Sequence, residues 1–276
     1  LGDVYKRQLH RGVGRPHPRS ISAAQTGASC WPGWWRSILS GQITLPIDGT
    51  YSATLENFVV GENAELLNSL RARRSGFRGV WISGLASSGR SHLLAAYRAH
   101  VAQQARAAYL VSCGTVDRAE PQVWWSAQQQ QALKAAQSQG AAVIIDDIGV
   151  LQNLGIAEEG LMSIYQSLHA AGGELLISHT ASALGVEFAL ADLNSRMRGL
   201  EHFALVPLND ADKAQVLTAR AQAKGYELTE AVLDYWLRRG PRDLATLVAD
   251  LQRLDQATLV HQRLLTVPLL KEVLGY

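Results

Sequence analysis

From residue 78 onward, short apolar runs alternate with longer amphipathic ones. RGVWIS (78–83), AYLVSC (108–113), AAVIIDD (141–147), ELLISH (174–179) and FALVPL (203–208) are too short for helices and are dominated by aliphatic residues, so each reads as a buried strand. Between them SHLLAAYRAHVAQQARA (91–107) puts Leu93, Leu94, Tyr97 and Val101 at helical spacing. VWWSAQQQQALKAAQSQ (123–139) and a segment around 158–171 read as two more helices. Uninterrupted apolar strands separated by helices imply a parallel sheet covered on both faces. After Pro207 the strand runs cease, and helices are expected over 210–224, 229–239, 242–259 and 267–275, punctuated by Gly225 and Gly240–Pro241. The pattern predicts an α/β lobe over residues 55–208 followed by a smaller all-helical lobe over 209–276.

At 276 residues and 47% apolar content the chain can bury a sizeable core. No window reaches 18 uninterrupted apolar residues, so no membrane span is expected. Two cysteines, Cys30 and Cys113, argue against a disulfide scaffold and fit a reducing, cytoplasmic setting. The net charge of +2 is uneven. Residues 1–41 hold six Lys/Arg against Asp3 alone, a local charge of +5 that leaves −3 for the rest. A basic nucleic-acid face is therefore not expected to dominate the body of the protein. The first 41 residues show no helical or strand period, and read as a disordered arm, a transit-like segment or non-native sequence.

The chemistry concentrates where strands end. Gly84–Ser91, GLASSGRS, follows one apolar strand and opens a helix, the context that gives a glycine-rich loop its meaning. Its glycines allow several N–H groups to converge, and the helix start adds partial positive charge, so the loop suits the phosphates of ADP or ATP. Arg90 would pair the terminal phosphates and the Ser91 hydroxyl would ligate Mg²⁺. Arginine at 90 keeps the charge of the usual lysine but spreads it over a planar fork, so binding should survive more readily than fast hydrolysis. VIIDD (143–147) ends a second buried strand in two acids. Asp146 is placed to hold Mg²⁺ through water, and Asp147 to orient or activate an attacking water. The histidines lack metal-site spacing, so no other metal is expected.

The quoted loop and acids, together with ENFVVGEN (56–63), ELLISHT (174–180), LADLNSRM (190–197) and GPRDLATL (240–247), resemble the AAA+ ATPases, and within them the family of the bacterial replication initiator DnaA and its shorter Hda relatives. GRSHLL in place of GKTHLL is similar to the Hda regulatory inactivators in particular. The resemblance implies an AAA+ nucleotide-binding lobe with a helical lid. It places Phe58, Val60 and Gly61 in an adenine pocket and Gly84, Ser88, Gly89, Arg90, Ser91 and His92 around the phosphates. Arg242 becomes a second sensor reaching back to them, and Arg196 an arginine finger acting in trans on a neighbouring subunit's nucleotide. Two positions depart from the pattern. His179 stands where the initiators have an acid, which leaves the first-sensor role to Ser178 or His179, whereas Asp147 resembles the active initiators more than Hda.

QITLPI (42–47) resembles the peptide by which bacterial proteins dock on the DNA polymerase III sliding clamp. Leu45 and Ile47 would fill an apolar pocket, Gln42 would hydrogen-bond at its rim, and Pro46 would lower the entropy lost on docking. Residues 42–54 are therefore expected to be clamp peptide and linker. The expected partners are DnaA, the clamp and a second copy of the chain through the finger face, with no sequence-specific DNA binding and no membrane. The expected activity is nucleotide-dependent stimulation of ATP hydrolysis on DnaA, which prevents re-initiation. Two rivals remain open: an autonomous loader-type AAA+ ATPase, and a non-enzymatic clamp adaptor.

Overall fold

A computed structural model describes residues 52–116, 119–151, 155–261 and 265–276. The described residues belong to one compact unit, residues 47–276. Its first half alternates strands and helices: α1 (Ala64–Arg71), β1 (Arg78–Ser83), α2 (Arg90–Gln103), β2 (Ala108–Ser112), α3 (Pro121–Ala136), β3 (Ala142–Asp146), α4 (Gly155–Ala171), β4 (Glu174–His179), α5 (Ala191–Arg198) and β5 (Glu201–Ala204). The strands form one parallel sheet in the order β2-β3-β4-β1-β5.

The two-residue period of each strand divides the core. Trp81, Val143, Ile145, Leu175 and Ile177 face one layer with Trp125, Leu161, Ile164 and Leu168 of α3 and α4. Val80, Ile82, Ile144 and Leu176 face the other, against Leu93, Leu94, Tyr97 and Val101 of α2 and Leu66, Leu67 and Leu70 of α1. Each central strand is thus apolar on both faces, which explains the unbroken runs in the sequence. Helix α1 was not anticipated: ENAELLNSLRAR carries only three apolar anchors among many polar residues.

The second half is helical, with α6 (Asp210–Ala223), α7 (Glu230–Arg239), α8 (Leu244–His261) and α9 (Val267–Leu274). Asn209 caps α6 by accepting from the Asp212 N–H at 2.9 Å, and Thr266 caps α9 by accepting from Leu269. Leu217, Trp236, Leu247, Leu254 and Leu270 form this lobe's own core, each essentially inaccessible to solvent. The fifth strand is shorter and earlier than the 203–208 expected. Leu205 still donates to the Ser83 carbonyl, but the Val206 N–H is taken by the Asn63 side chain and Pro207 has no N–H to offer.

Candidate functional site

The sheet order puts β4 between β3 and β1, so three strand ends that carry polar residues lie side by side at the carboxyl edge, where open α/β sheets bind ligands. The register aligns Ser83 of β1 with His179 of β4, and Ile145 of β3 with Ile177, which brings Asp146 beside Ser178. Ser178 links the two acids. Its buried hydroxyl donates to Asp146 Oδ1 at 2.5 Å and accepts from the Asp147 N–H at 2.9 Å. Asp147 lies just past the strand in the left-handed region, φ +58°, and its carboxylate is 44% exposed.

The glycine loop leaves β1 at Gly84, whose N–H donates to the His179 carbonyl. Gly89, at φ +97°, turns the chain into α2, a conformation that glycine adopts without a Cβ penalty. At Gly84 a Cβ would stand 2.9 Å from Ser88 Oγ and 3.2 Å from Leu205 Cβ, so the turn admits no side chain. Ser88 Oγ and Arg90 Nη1 are buried and have no hydrogen-bond partner, although Arg90 Nη1 lies 3.7 Å from Asp147 Oδ1. Buried polar atoms left unsatisfied on a loop of this shape are what a phosphate oxygen would satisfy. Ser91 is exposed at the first turn of α2, and Asp146 is 9% exposed. The cradle therefore fits a nucleotide phosphate, and Ser91 and Asp146 are the residues that would hold an accompanying Mg²⁺. Among the described residues no cluster of His, Cys, Asp and Glu would hold a metal by itself.

His179 does not point its chemistry at the loop. Its Nδ1 accepts from the Ala181 N–H at 2.7 Å, its ring lies 5.9 Å from Trp81, and its Nε2 occupies the space a Cβ of Gly149 would need. Burial pushes this imidazole down against the pull of Asp147. Of the two residues considered for the first-sensor position, Ser178 is the one bonded to the acids.

Phe58 and His92 stack at 5.9 Å and 21°, beside a narrow cavity of about 50 Å³ that Ser88, Gly89, Leu208, Val216, Arg220 and Leu244 also line. Burial, with the charge of Arg220 added, pushes the His92 imidazole down to about 4. A wider cleft of about 480 Å³, in the range of small-molecule sites, runs along Phe58, Val59, Val60 and Gly61 and is closed on the far side by Asp212 and Gln215 of α6. The expected adenine-pocket residues thus line one strip between the two lobes. Arg220 and Leu244 also line the narrow cavity: Arg220 sits in no recognisable motif, and Leu244 lies within GPRDLATL but two positions past the arginine that the motif singles out.

Arg242 lies elsewhere. It is 74% exposed and its Nη1 contacts Asp210 Oδ2 at 3.3 Å, across the helical lobe. Its neighbour Asp243 instead caps α8 by accepting from Thr246 and interacts with Ser87 of the loop. Arg196, on the last turn of α5, is 47% exposed, 3.5 Å from Asp192 and 5.6 Å above the Tyr165 ring. Neither the Arg242 contact nor those of Arg196 involve the cradle. Gln42, Leu45, Pro46 and Ile47 lie outside the described residues.

Comparison with known proteins follows the same division. The bacterial DnaA ATPase domain model matches residues 50–201, more than half of the chain, and the Hda lid domain model matches residues 210–274. Domain III of the replication initiation protein DnaA from Thermotoga maritima superposes with a TM-score of 0.67 at 17% identity, covering 82% of this chain and 96% of that one. The replication initiator DnaA bound to AMPPCP and single-stranded DNA gives 0.58 at 18% identity, over 72% of this chain and 63% of that one, so the chain spans less than two-thirds of that initiator's length. A mutant RuvB from Thermotoga maritima gives 0.59 at 17%, over 81% and 71%. At such identities these structures establish a shared fold. No helix among the described residues is long and apolar enough to cross a membrane.

Proposed function

The chain belongs to the bacterial DnaA ATPase-domain family and carries an Hda-type lid, and on that premise we propose that it regulates replication initiation by stimulating ATP hydrolysis on DnaA. In this reading it holds ADP or ATP in its own cradle, with Ser88 Oγ and Arg90 on the phosphates and the base between the Phe58–Gly61 strip and α6. Bound nucleotide with its Mg²⁺ would supply charge that organises the loop and the lid. The chain docks on the sliding clamp through Gln42–Ile47 and presents Arg196 to the nucleotide of DnaA.

The observation that carries the reading is the state of Arg196. Its two contacts are weak: an exposed i,i+4 ion pair is worth about 0.3–0.5 kcal/mol, and a cation–π contact of the half-exposed guanidinium with the buried Tyr165 ring about 1 kcal/mol. An arginine finger accelerates hydrolysis by roughly 10³ to 10⁵, or about 4–7 kcal/mol, by neutralising charge that develops on the transferred phosphoryl. Releasing the guanidinium from Asp192 and Tyr165 is therefore a small cost against what it contributes in a partner's site. Tyr165 and Asp192 also keep it clear of its own cradle, as action in trans requires.

The test combines the purified chain, ATP-loaded DnaA and DNA-loaded clamp, and follows phosphate release. Wild type should accelerate hydrolysis on DnaA, Arg196→Ala should not, and Gln42→Ala should act only at higher concentration. Equal stimulation by wild type and Arg196→Ala would leave the clamp-adaptor reading in its place. The autonomous-ATPase reading draws on the exposed carboxylate of Asp147 beside Arg90. It requires turnover by the isolated chain that Asp147→Asn abolishes.

A further inference from the structure

At the opposite, amino-terminal edge of the sheet lies a second open cavity of about 810 Å³. The segments that line it are those about to enter strands. Arg73, Arg74, Ser75 and Gly76 precede β1, Arg106 precedes β2, Gln139 and Gly140 precede β3, and Ala170–Gly172 precede β4. Three of the lining residues are arginines and none is an acid.

The neighbouring charges leave a positive surplus. Arg73, Arg74 and Arg106 line the cavity with the buried Arg78 behind them, against two carboxylates, Glu201 and Glu174, whereas Arg71 faces Glu56. Glu201 takes Arg74 and Arg78, and Glu174 takes Arg106 at 3.0 Å. Arg71 donates to the Leu55 carbonyl. Arg73 is exposed and makes no ion pair or hydrogen bond among the described residues. The body of the protein is net acidic, so this concentration of arginine is local and does not follow from composition. The first 41 residues carry the same sign and cannot neutralise it.

We propose that this groove binds the phosphodiester backbone of duplex DNA without reading its sequence. Arginine suits phosphate because its planar fork can donate two hydrogen bonds to one anion. A single phosphate would fill little of an open cavity this size, whereas successive phosphates of a backbone can follow it. Single strands are held by stacking on aromatic platforms, and the groove has none. Phe77, the aromatic residue nearest to it in sequence, is packed inward on Tyr165 at 4.9 Å and His169 at 5.1 Å. Base readout needs a helix or ribbon entering the major groove, and these walls are short turns. The groove occupies the edge away from the nucleotide cradle, so DNA and nucleotide can be held together. The proposal does not depend on Arg196 or on the clamp peptide.

The test titrates the full chain against a fluorescein-labelled 20-base-pair duplex by anisotropy, over a series of salt concentrations. Arg73→Glu is compared with Arg238→Glu, an equal charge change at a distant exposed residue of α7. Thermal melts of both variants should match wild type. Binding by wild type should fall steeply with salt, and Arg73→Glu should weaken it and flatten the log–log slope by about 1, the share of one phosphate contact. Arg238→Glu should behave as wild type. Failure of wild type to bind, or equal binding by the two variants, overturns the proposal. So does displacement of the duplex by inorganic phosphate at matched phosphate concentration, which would mark a single-anion site. Retention of polyglutamate that depends on Arg73 while duplex binding does not would assign the groove to an acidic protein instead.

Discussion

Asn63 is a polar residue that the fold cannot easily lose. It is 4% exposed, its amide donates to the Val60 and Val206 carbonyls at 3.1 and 3.0 Å, and its oxygen accepts from the Val206 N–H at 2.7 Å. It thereby ties the turn at the base of the Phe58–Gly61 cleft to the chain that crosses from sheet to lid. Replacing it with alanine removes three hydrogen bonds, each worth about 0.5–1.5 kcal/mol net. It also strands both backbone groups of Val206, but that residue is 38% exposed, so water recovers part of the loss. The expected cost of Asn63→Ala is about 3 kcal/mol. For a body of this size 1 kcal/mol shifts Tm by roughly 2–4 °C, so a fall of about 6–12 °C is expected by calorimetry. Asn63→Asp keeps the acceptor but loses both donor bonds and buries a charge, so it should be at least as damaging. Because the tie also sets one wall of the cleft, affinity for a fluorescent adenine nucleotide should weaken well below the lowered Tm. A melt of Asn63→Ala within 2 °C of wild type would refute the reasoning.

At Gly149 an added Cβ would stand 2.6 Å from His179 Nε2, so Gly149→Ala should destabilise by about 1–3 kcal/mol in urea unfolding, and the double variant with His179→Ala should recover most of it. His92 is held near 4 in the fold against 6.5 for a free imidazole. The unfolded chain therefore takes up the proton first, and stability should be level above about pH 6.5 and fall as pH drops toward 4. That slope is bounded by about 1.4 kcal/mol per pH unit for one proton and is reduced by partial exposure; His92→Gln should flatten it in melts across that window. Ser178→Ala leaves Asp146 and the Asp147 N–H without their shared partner and should weaken Mg²⁺-dependent nucleotide binding more than Mg²⁺-free binding, as read by calorimetric titration. Arg196→Ala gives up about 1 kcal/mol in its two weak contacts and should lower Tm by only about 2–6 °C, read by calorimetry.

The strands were legible because burial on both faces erases polar positions: Val80–Ile82 and Val143–Ile145 could not be read as anything amphipathic. The cradle was legible because its loop must leave a strand and enter a helix, and both neighbours announced themselves. What could not be read lies where side chains choose partners across long separations. Asn63 and Val206 are 143 positions apart, and nothing local in ENAE marks the asparagine as a tie between lobes. Arg242 sits where a sensor is expected, yet its guanidinium rests on Asp210, a choice set by how α8 packs beside α6. His179 occupies a recognisable position, but its ring is claimed by Ala181, Trp81 and the space above Gly149.

Two residues of the cradle, the arginine at 90 that replaces the usual lysine and the aspartate at 147, meet in space. Arg90 is 90% buried at the side chain and its Nη1 has one nearby anion, Asp147, at 3.7 Å. A buried guanidinium needs a counter-charge, and an amide at 147 could not supply one. Conversely, a carboxylate at 147 next to a compact ammonium would form a tighter point contact and compete with phosphate for it. The fork resolves that competition, because it has five N–H donors and the carboxylate reaches only one nitrogen. Arg90 and Asp147 therefore act as one unit, a cation kept in the cradle by an acid that leaves most of its donors for phosphate.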